Sequence, residues 1–262
     1  MTDTHTHIYM PEFDGDAGSY EERIRTVRRA LDAGVDRMIF PGIDFSSLEP
    51  MAKVREMFPD NISVAVGLHP TEVDESWLEE CRKIFSSPLA ADAVAVGEIG
   101  IDLYWDDSRR GLQKEAFAFQ LGEARRRDLP VIVHQRSALD DALEVIGASG
   151  IEPSRVVMHS FTGTPADAAR IQEGGDFYFG INGVATFRNA PELREALRLI
   201  PPSRLLLETD SPYLAPVPKR GRRNESSYLP FVAATVAEAL GMTPEEAGVL
   251  TARNASSFFK IN

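Results

Sequence analysis

Short apolar runs alternate with longer amphipathic stretches along the whole chain. The runs lie at Arg37–Phe40, Ile62–Leu68, Ala93–Gly97, Pro130–His134, Arg155–His159, Phe177–Ile181 and Arg204–Glu208. They are apolar on both sides, as strands buried on two faces must be. Between them, helical periodicity is expected over Tyr20–Ala33, Ser76–Phe85, Ser108–Arg127, Ala138–Gly147, Pro165–Glu173 and Pro191–Leu199. A helical tail follows over Ser227–Leu240 and Thr243–Phe258, where Thr243-Pro-Glu-Glu supplies an N-cap, a proline at the first helical position and a capping-box acid. These runs make seven strands. An eighth is expected from Thr2–His5, a segment poor in apolar side chains. Alternating βα units over this length predict one domain spanning 1–262, a distorted (β/α)₈ barrel with C-terminal helices. The alternative, a doubly wound sheet, lacks its usual glycine-rich phosphate loop after the first strand.

A parallel barrel brings all strand C-terminal ends to one face. His69, His134 and His159 end or follow the runs VAVGLH, PVIVH and RVVMH, and Glu98 and Asp210 follow AVAVGE and RLLLETD. His5 and His7 stand at the end of the first expected strand. All five histidines of the chain therefore fall where one mouth is expected. Residues i and i+2 of a strand point to one side, so His5-Thr6-His7 can present two imidazoles to one cation. Glu98, set between Gly97 and Gly100, can bridge two cations with its two oxygens. His134 and His159, on adjacent strands, suit a second cation. Asp210 can reach the first cation and accept a proton from its water. His69 is expected to contact substrate or relay a proton, because six ligands are already assigned. Glu208 reads as a polar partner behind a ligand and Asp102 as a loop cap. Asp3 either orients a ligand or simply begins the chain.

The balance of charge is 28 Lys and Arg against 40 Asp and Glu, a net −12. A broad electrostatic grip on nucleic acid is thereby disfavoured, although a local basic patch can still hold phosphate. Arg136 and the loop arginines Arg220, Arg222 and Arg223 lie after strands five and eight, at the same mouth, and are candidate anion contacts. Asn224 and Glu225 are candidates for fixing that loop. The run Arg125–Arg127 reads instead as the cationic end of a helix. The single cysteine, Cys81, forms no internal disulfide and reads as an idle thiol in a reducing, cytoplasmic setting. No apolar run approaches the length of a membrane span. With a candidate ligand at position 5, no leader segment is expected.

Several segments together carry a family resemblance. Asp-Thr-His-Thr-His at 3–7, Gly-Leu-His-Pro at 67–70, Gly-Glu-Ile-Gly-Ile-Asp at 97–102, His-Gln-Arg-Ser-Ala at 134–138, His-Ser-Phe-Thr-Gly at 159–163, Thr-Phe-Arg-Asn at 186–189, Glu-Thr-Asp-Ser-Pro-Tyr-Leu at 208–214 and Arg-Gly-Arg-Arg-Asn-Glu at 220–225 resemble the TatD-like metal-dependent hydrolases, part of the wider amidohydrolase-type barrel superfamily. The resemblance spans essentially the whole chain in order. It implies a divalent-metal centre and DNase-type phosphodiester hydrolysis. His5 and His7 would hold one metal, His134 and His159 the other, Glu98 both, with Asp210 as ligand and base. Two positions depart from the family pattern. Fewer apolar residues precede the first H-x-H, only Met1 to Thr4 standing before it, so a short or differently packed first strand is expected, and Thr6 stands where Cys is frequent.

The expected activity is hydrolysis of DNA at the barrel mouth, exonuclease-like, by a monomer or small homo-oligomer without membrane contact. Two divalent cations, of identity open among Zn²⁺, Mn²⁺, Mg²⁺ and similar ions, would activate a water. Arg136 would offset charge on the phosphoryl oxygens, and His69 would protonate or position the leaving oxygen. An alternative keeps the site and changes the substrate to an amide, lactone or aminoacyl ester. A third reading, a non-catalytic metal-binding adaptor, would need a lost ligand, and none is lost.

Overall fold

The computed structural model describes residues 1–15 and 20–261. Eight parallel strands form one sheet in sequence order: β1 Thr2–Asp3, β2 Arg37–Pro41, β3 Ile62–Val66, β4 Ala95–Asp102, β5 Val131–Arg136, β6 Val156–Met158, β7 Tyr178–Ile181 and β8 Leu205–Leu207. Around them run α1 Glu21–Asp32, α2 Leu48–Met57, α3 Trp77–Ser86, α4 Arg110–Arg127, α5 Leu139–Ser149, α6 Pro165–Glu173, α7 Pro191–Leu197, α8 Leu229–Leu240 and α9 Pro244–Phe259. The architecture is the nearly closed (β/α)₈ barrel that the alternating pattern predicts. No helix among the described residues is long and apolar enough to cross a membrane.

Successive side chains of a strand face opposite ways, and both faces are buried here. Phe40, Val66, Val133, Met158, Phe179 and Leu207 pack outward under the helices. Ile39, Ala65, Ala95, Ile132, Val157, Tyr178 and Leu206 face the lumen, where Phe258, Phe259 and Ile261 from the end of α9 pack against them. The C-terminal helix thus closes one end of the barrel and leaves the other to chemistry. Its start carries the expected capping box, with Glu246 N–H donating to Thr243 and the Glu246 carboxylate accepting from Thr243 N–H.

Three segments differ from the sequence expectation. The first strand is two residues long rather than four, and the barrel closes through irregular contacts. Thr4 N–H donates to Leu207 O at 2.9 Å, Asp210 N–H donates to His5 O at 2.9 Å, and Thr6 bridges Ser211. Within this seam the buried Asp3 carboxylate accepts from Thr209 N–H, Thr209 Oγ1 and His5 N–H, in place of a regular ladder. The second difference is β4, which runs to Asp102 rather than stopping at Gly97, so Glu98 and Asp102 both lie on a strand. Its pairing with β5 shifts register between Val96 and Ile99. Gly100 permits this approach: it has φ 147°, and a Cβ there would lie 1.9 Å from His134 O. The third is α2, where Pro50 interrupts the sequence signal. Leu48, Met51 and Val54 nevertheless supply its buried stripe.

The remaining structural readings find simple roles. Arg125 donates to Ser149 O, and Arg127 donates to Ala90 O and Phe85 O, so the run at the end of α4 ties helices together. Cys81 is buried, and burial pushes its thiol up to about 12.

Candidate metal centre

The strand ends bring the seven polar residues together as barrel geometry requires. All five histidines reach within 3.8 Å of a Glu98 carboxylate oxygen. His134 Nδ1 lies 2.8 Å from Oε1, His69 Nε2 3.4 Å and His159 Nε2 3.5 Å, while His5 Nε2 lies 3.1 Å from Oε2. Asp210 Oδ1 stands opposite, 3.6 Å from His7 Nε2 and 3.8 Å from both His5 Nε2 and His159 Nε2. Asp210 holds its place in a left-handed conformation, φ 56°, which aspartate tolerates better than most residues.

Among the described residues, three sets of donor atoms each lie within 4.8 Å of one another: His5 with His7 and Asp210, His5 with Glu98 and His159, and His69 with Glu98 and His134. Glu98 belongs to two of them, as its expected sharing requires. The grouping departs from the expected pairs in one respect. His159 stacks on His5, with ring centroids 3.4 Å apart, while His69 sits edge-on to His134 at 4.6 Å.

For four of the five rings a neighbouring residue contacts the nitrogen that faces away from the centre. Tyr9 O–H donates to Pro41 O at 2.5 Å, so the same oxygen accepts from His7 Nδ1 at 2.9 Å. The neutral His7 ring then carries its proton on Nδ1 and turns the Nε2 lone pair to the centre. His134 Nε2–H donates to the Asp102 carboxylate at 3.0 Å, which leaves Nδ1 facing Glu98. His159 Nδ1 lies 3.0 Å from Glu208 Oε1, close but off hydrogen-bond angle, with Nε2 inward. A Cβ on Gly180 would lie 2.2 Å from Glu208 Oε2, so that glycine makes room for the carboxylate. His69 differs from these rings. Thr71 N–H donates to its Nδ1 at 3.2 Å, so the neutral ring carries its proton on Nε2, toward Glu98.

The electrostatics of these side chains are lopsided. Burial would raise the Glu98 carboxyl, but the charge of His159 and the hydrogen bond from His134 hold it well below its usual range. Burial also opposes charge on His134 and His159. Asp102 and Glu98 nonetheless hold His134 at about 9, and Glu208, Glu98 and Asp210 hold His159 at about 10. Burial and the positive charge on His159 push His5 down to about 4. His5 Nε2 lies 3.1 Å from both His7 Nε2 and Glu98 Oε2. That donor set, nitrogen and oxygen together, fits divalent transition metals.

The candidate anion contacts separate into two groups. Arg136 is exposed at the end of β5, its guanidinium stacked on Tyr104 at 3.7 Å. Arg220 stacks on Phe187 at 3.8 Å, and Arg222 is exposed. Arg223 is anchored elsewhere, donating to Glu22 and Glu12 O with its guanidinium over Phe13. Asn224 Nδ2 donates to Thr209 O and Tyr213 O, and Glu225 accepts from Arg29 and Ser227; both residues fix the loop. Sequence reasoning overlooked Tyr9, although its alternation with His5 and His7 was a usable signal. It also gave Asp102 only half its role, because capping Tyr104 N–H leaves the second oxygen free to hold His134.

Histidines and carboxylates converging at the C-terminal mouth of a (β/α)₈ barrel define a metal-dependent hydrolase. Comparison with known proteins agrees. The chain matches the TatD related DNase family over residues 2–260, and it belongs to that family. It is 37% identical to the uncharacterized metal-dependent hydrolase YabD of Bacillus subtilis, over 100% of both chains. It is 34% identical to a Citrobacter rodentium protein named 3'-5' ssDNA/RNA exonuclease TatD, over 90% of each. Among solved structures, the TatD homolog YJJV of Escherichia coli superposes with a TM-score of 0.88 at 29% identity, covering 100% of this chain and 98% of that one.

Proposed function

We propose that the protein is a divalent-metal-dependent phosphodiesterase that removes nucleotides from DNA ends. The observation that carries this reading is the gathering of all five histidines around Glu98, opposite Asp210, with the exposed Arg136 two residues beyond His134 on the same strand. His5, His7, Glu98, His134, His159 and Asp210 would hold two cations. Bound there, cations would supply a water of lowered pKa and positive charge for the phosphoryl oxygens.

The chain's own groups carry the remaining roles. Burial would raise the Asp210 carboxyl, but the positive charge of His159 beside it keeps it below its usual range, ionised and ready to accept a proton. His69 Nε2–H, its tautomer set by Thr71, is placed to donate to the leaving oxygen. Burial keeps this imidazole low and therefore neutral near pH 7, so its part is to hydrogen-bond the leaving oxygen through Nε2–H rather than to transfer that proton. Arg136 and Arg220 offer guanidinium edges to phosphate while their faces rest on aromatic rings. Arg222 adds charge at the rim. Arg223 has the supporting role of holding the loop. The name of the Citrobacter relative supports a nucleic-acid substrate.

The test is metal-reconstituted protein on end-labelled single- and double-stranded DNA, with an acyl ester and an aminoacyl-tRNA alongside. Stepwise shortening of DNA is expected. Asp210→Asn should lower it about 10²- to 10⁴-fold, the range of general acid–base catalysis. Turnover of the esters with DNA left intact would overturn the phosphodiesterase reading.

A further inference from the structure

Two large aromatic side chains stand exposed beside the metal centre without a structural task that explains their exposure. Tyr104 is 54% exposed and Trp105 75%. Their rings meet edge to face, with centroids 4.8 Å apart at 89°. The Arg136 guanidinium lies flat over Tyr104 and 5.4 Å from the Trp105 ring. A guanidinium stacked by its face keeps its N–H donors at the rim, and among the described residues nothing accepts from them.

This group is wired to the centre by short contacts. Tyr104 N–H donates to Asp102 Oδ1 at 3.0 Å. The other Asp102 oxygen accepts from His134 at 3.0 Å, and the second nitrogen of His134 faces Glu98 at 2.8 Å. Leu103 N–H donates to Arg136 O at 2.9 Å, which fixes the two strand ends side by side. The aromatic pair is thus held one residue away from a candidate ligand.

We propose that Trp105 and Tyr104 form a stacking platform for the nucleobase next to the scissile phosphate, while Arg136 grips that phosphate from the platform's edge. The proposal rests on the phosphodiesterase reading and deepens it. Every base has an apolar face, so aromatic stacking is indifferent to sequence. It does require a base free of its neighbours, which a paired duplex does not offer. The platform therefore selects an unpaired end. It also gives a chain of net charge −12 a local means of holding nucleic acid without a basic surface.

The experiment compares two single-stranded oligonucleotides that differ only at the end the enzyme attacks. One carries a base there and the other an abasic tetrahydrofuran residue. Wild type, Trp105→Ala and Trp105→Phe are assayed as metal-reconstituted full chains, each with its metal content measured. On the base-bearing strand Trp105→Ala is expected to lose about tenfold in kcat/KM, the size of one base–aromatic stack. On the abasic strand it should match wild type, and Trp105→Phe should retain most of the rate on both. An equal effect of Trp105→Ala on the two strands, or none on either, overturns the platform and leaves the phosphodiesterase reading standing. If wild type cleaves neither strand, both fall.

Discussion

Tyr9 decides which nitrogen of His7 can meet a cation. Its hydroxyl proton is committed to Pro41 O, so its oxygen accepts from His7 Nδ1, and the His7 Nε2 lone pair points to the centre. Partners behind a metal ligand commonly matter 10- to 100-fold in metal affinity.

Tyr9→Phe removes that acceptor with almost no change of shape. Metal affinity should fall about 10- to 100-fold, as read by titration calorimetry. The barrel should stay folded by circular dichroism. Affinity equal to wild type would mean that the tautomer of His7 is set by something other than Tyr9.

Metal binding should tighten as pH rises. In the metal-free protein His134 titrates at about 9 and His159 at about 10, so both are protonated near pH 7. A cation binds only the neutral rings, and each must release its proton first. The sign follows: lower proton activity favours the bound state, up to the region of these two values. His5, held at about 4, is already neutral and releases none. Calorimetry in buffers of different ionisation enthalpy should detect protons released on binding, and affinity independent of pH would contradict the assignment.

Gly180→Ala probes the support of His159. Its new Cβ would meet the Glu208 carboxylate at 2.2 Å, so Glu208 must leave its position behind the ring. A loss of about 1–3 kcal/mol in urea denaturation is expected from the overpacking, together with weaker metal binding. Stability lowered with metal affinity intact would show that Glu208 only fills space.

Much of this molecule could be read along the chain. Doubly buried strands declare themselves as unbroken apolar runs, so the barrel and its open face followed from periodicity and polarity. Polar residues that end or closely follow such runs have no apolar reason for their position, and in this way Glu98, Asp210, His69, His134 and His159 were located, while His5 and His7 were read from their spacing. The arginines were legible as charge but not as function. Arg223 and Arg136 look equivalent in sequence, yet one is held by Glu22 while the other lies free on Tyr104.

Local pattern was enough for most of the elements, though not for α2, and for the direction in which each strand delivers its last residues and the types of donor gathered at the mouth, because these depend on a side chain and its near neighbours. Tertiary structure alone settled which nitrogen of His7 faces the centre, the pairing of His159 with His5, the extension of β4 and the exposure of Trp105. Those depend on distances between atoms far apart in the chain. Tyr9 and Pro41, Gly180 and Glu208, and Gly100 and His134 have no mutual relation until the barrel closes.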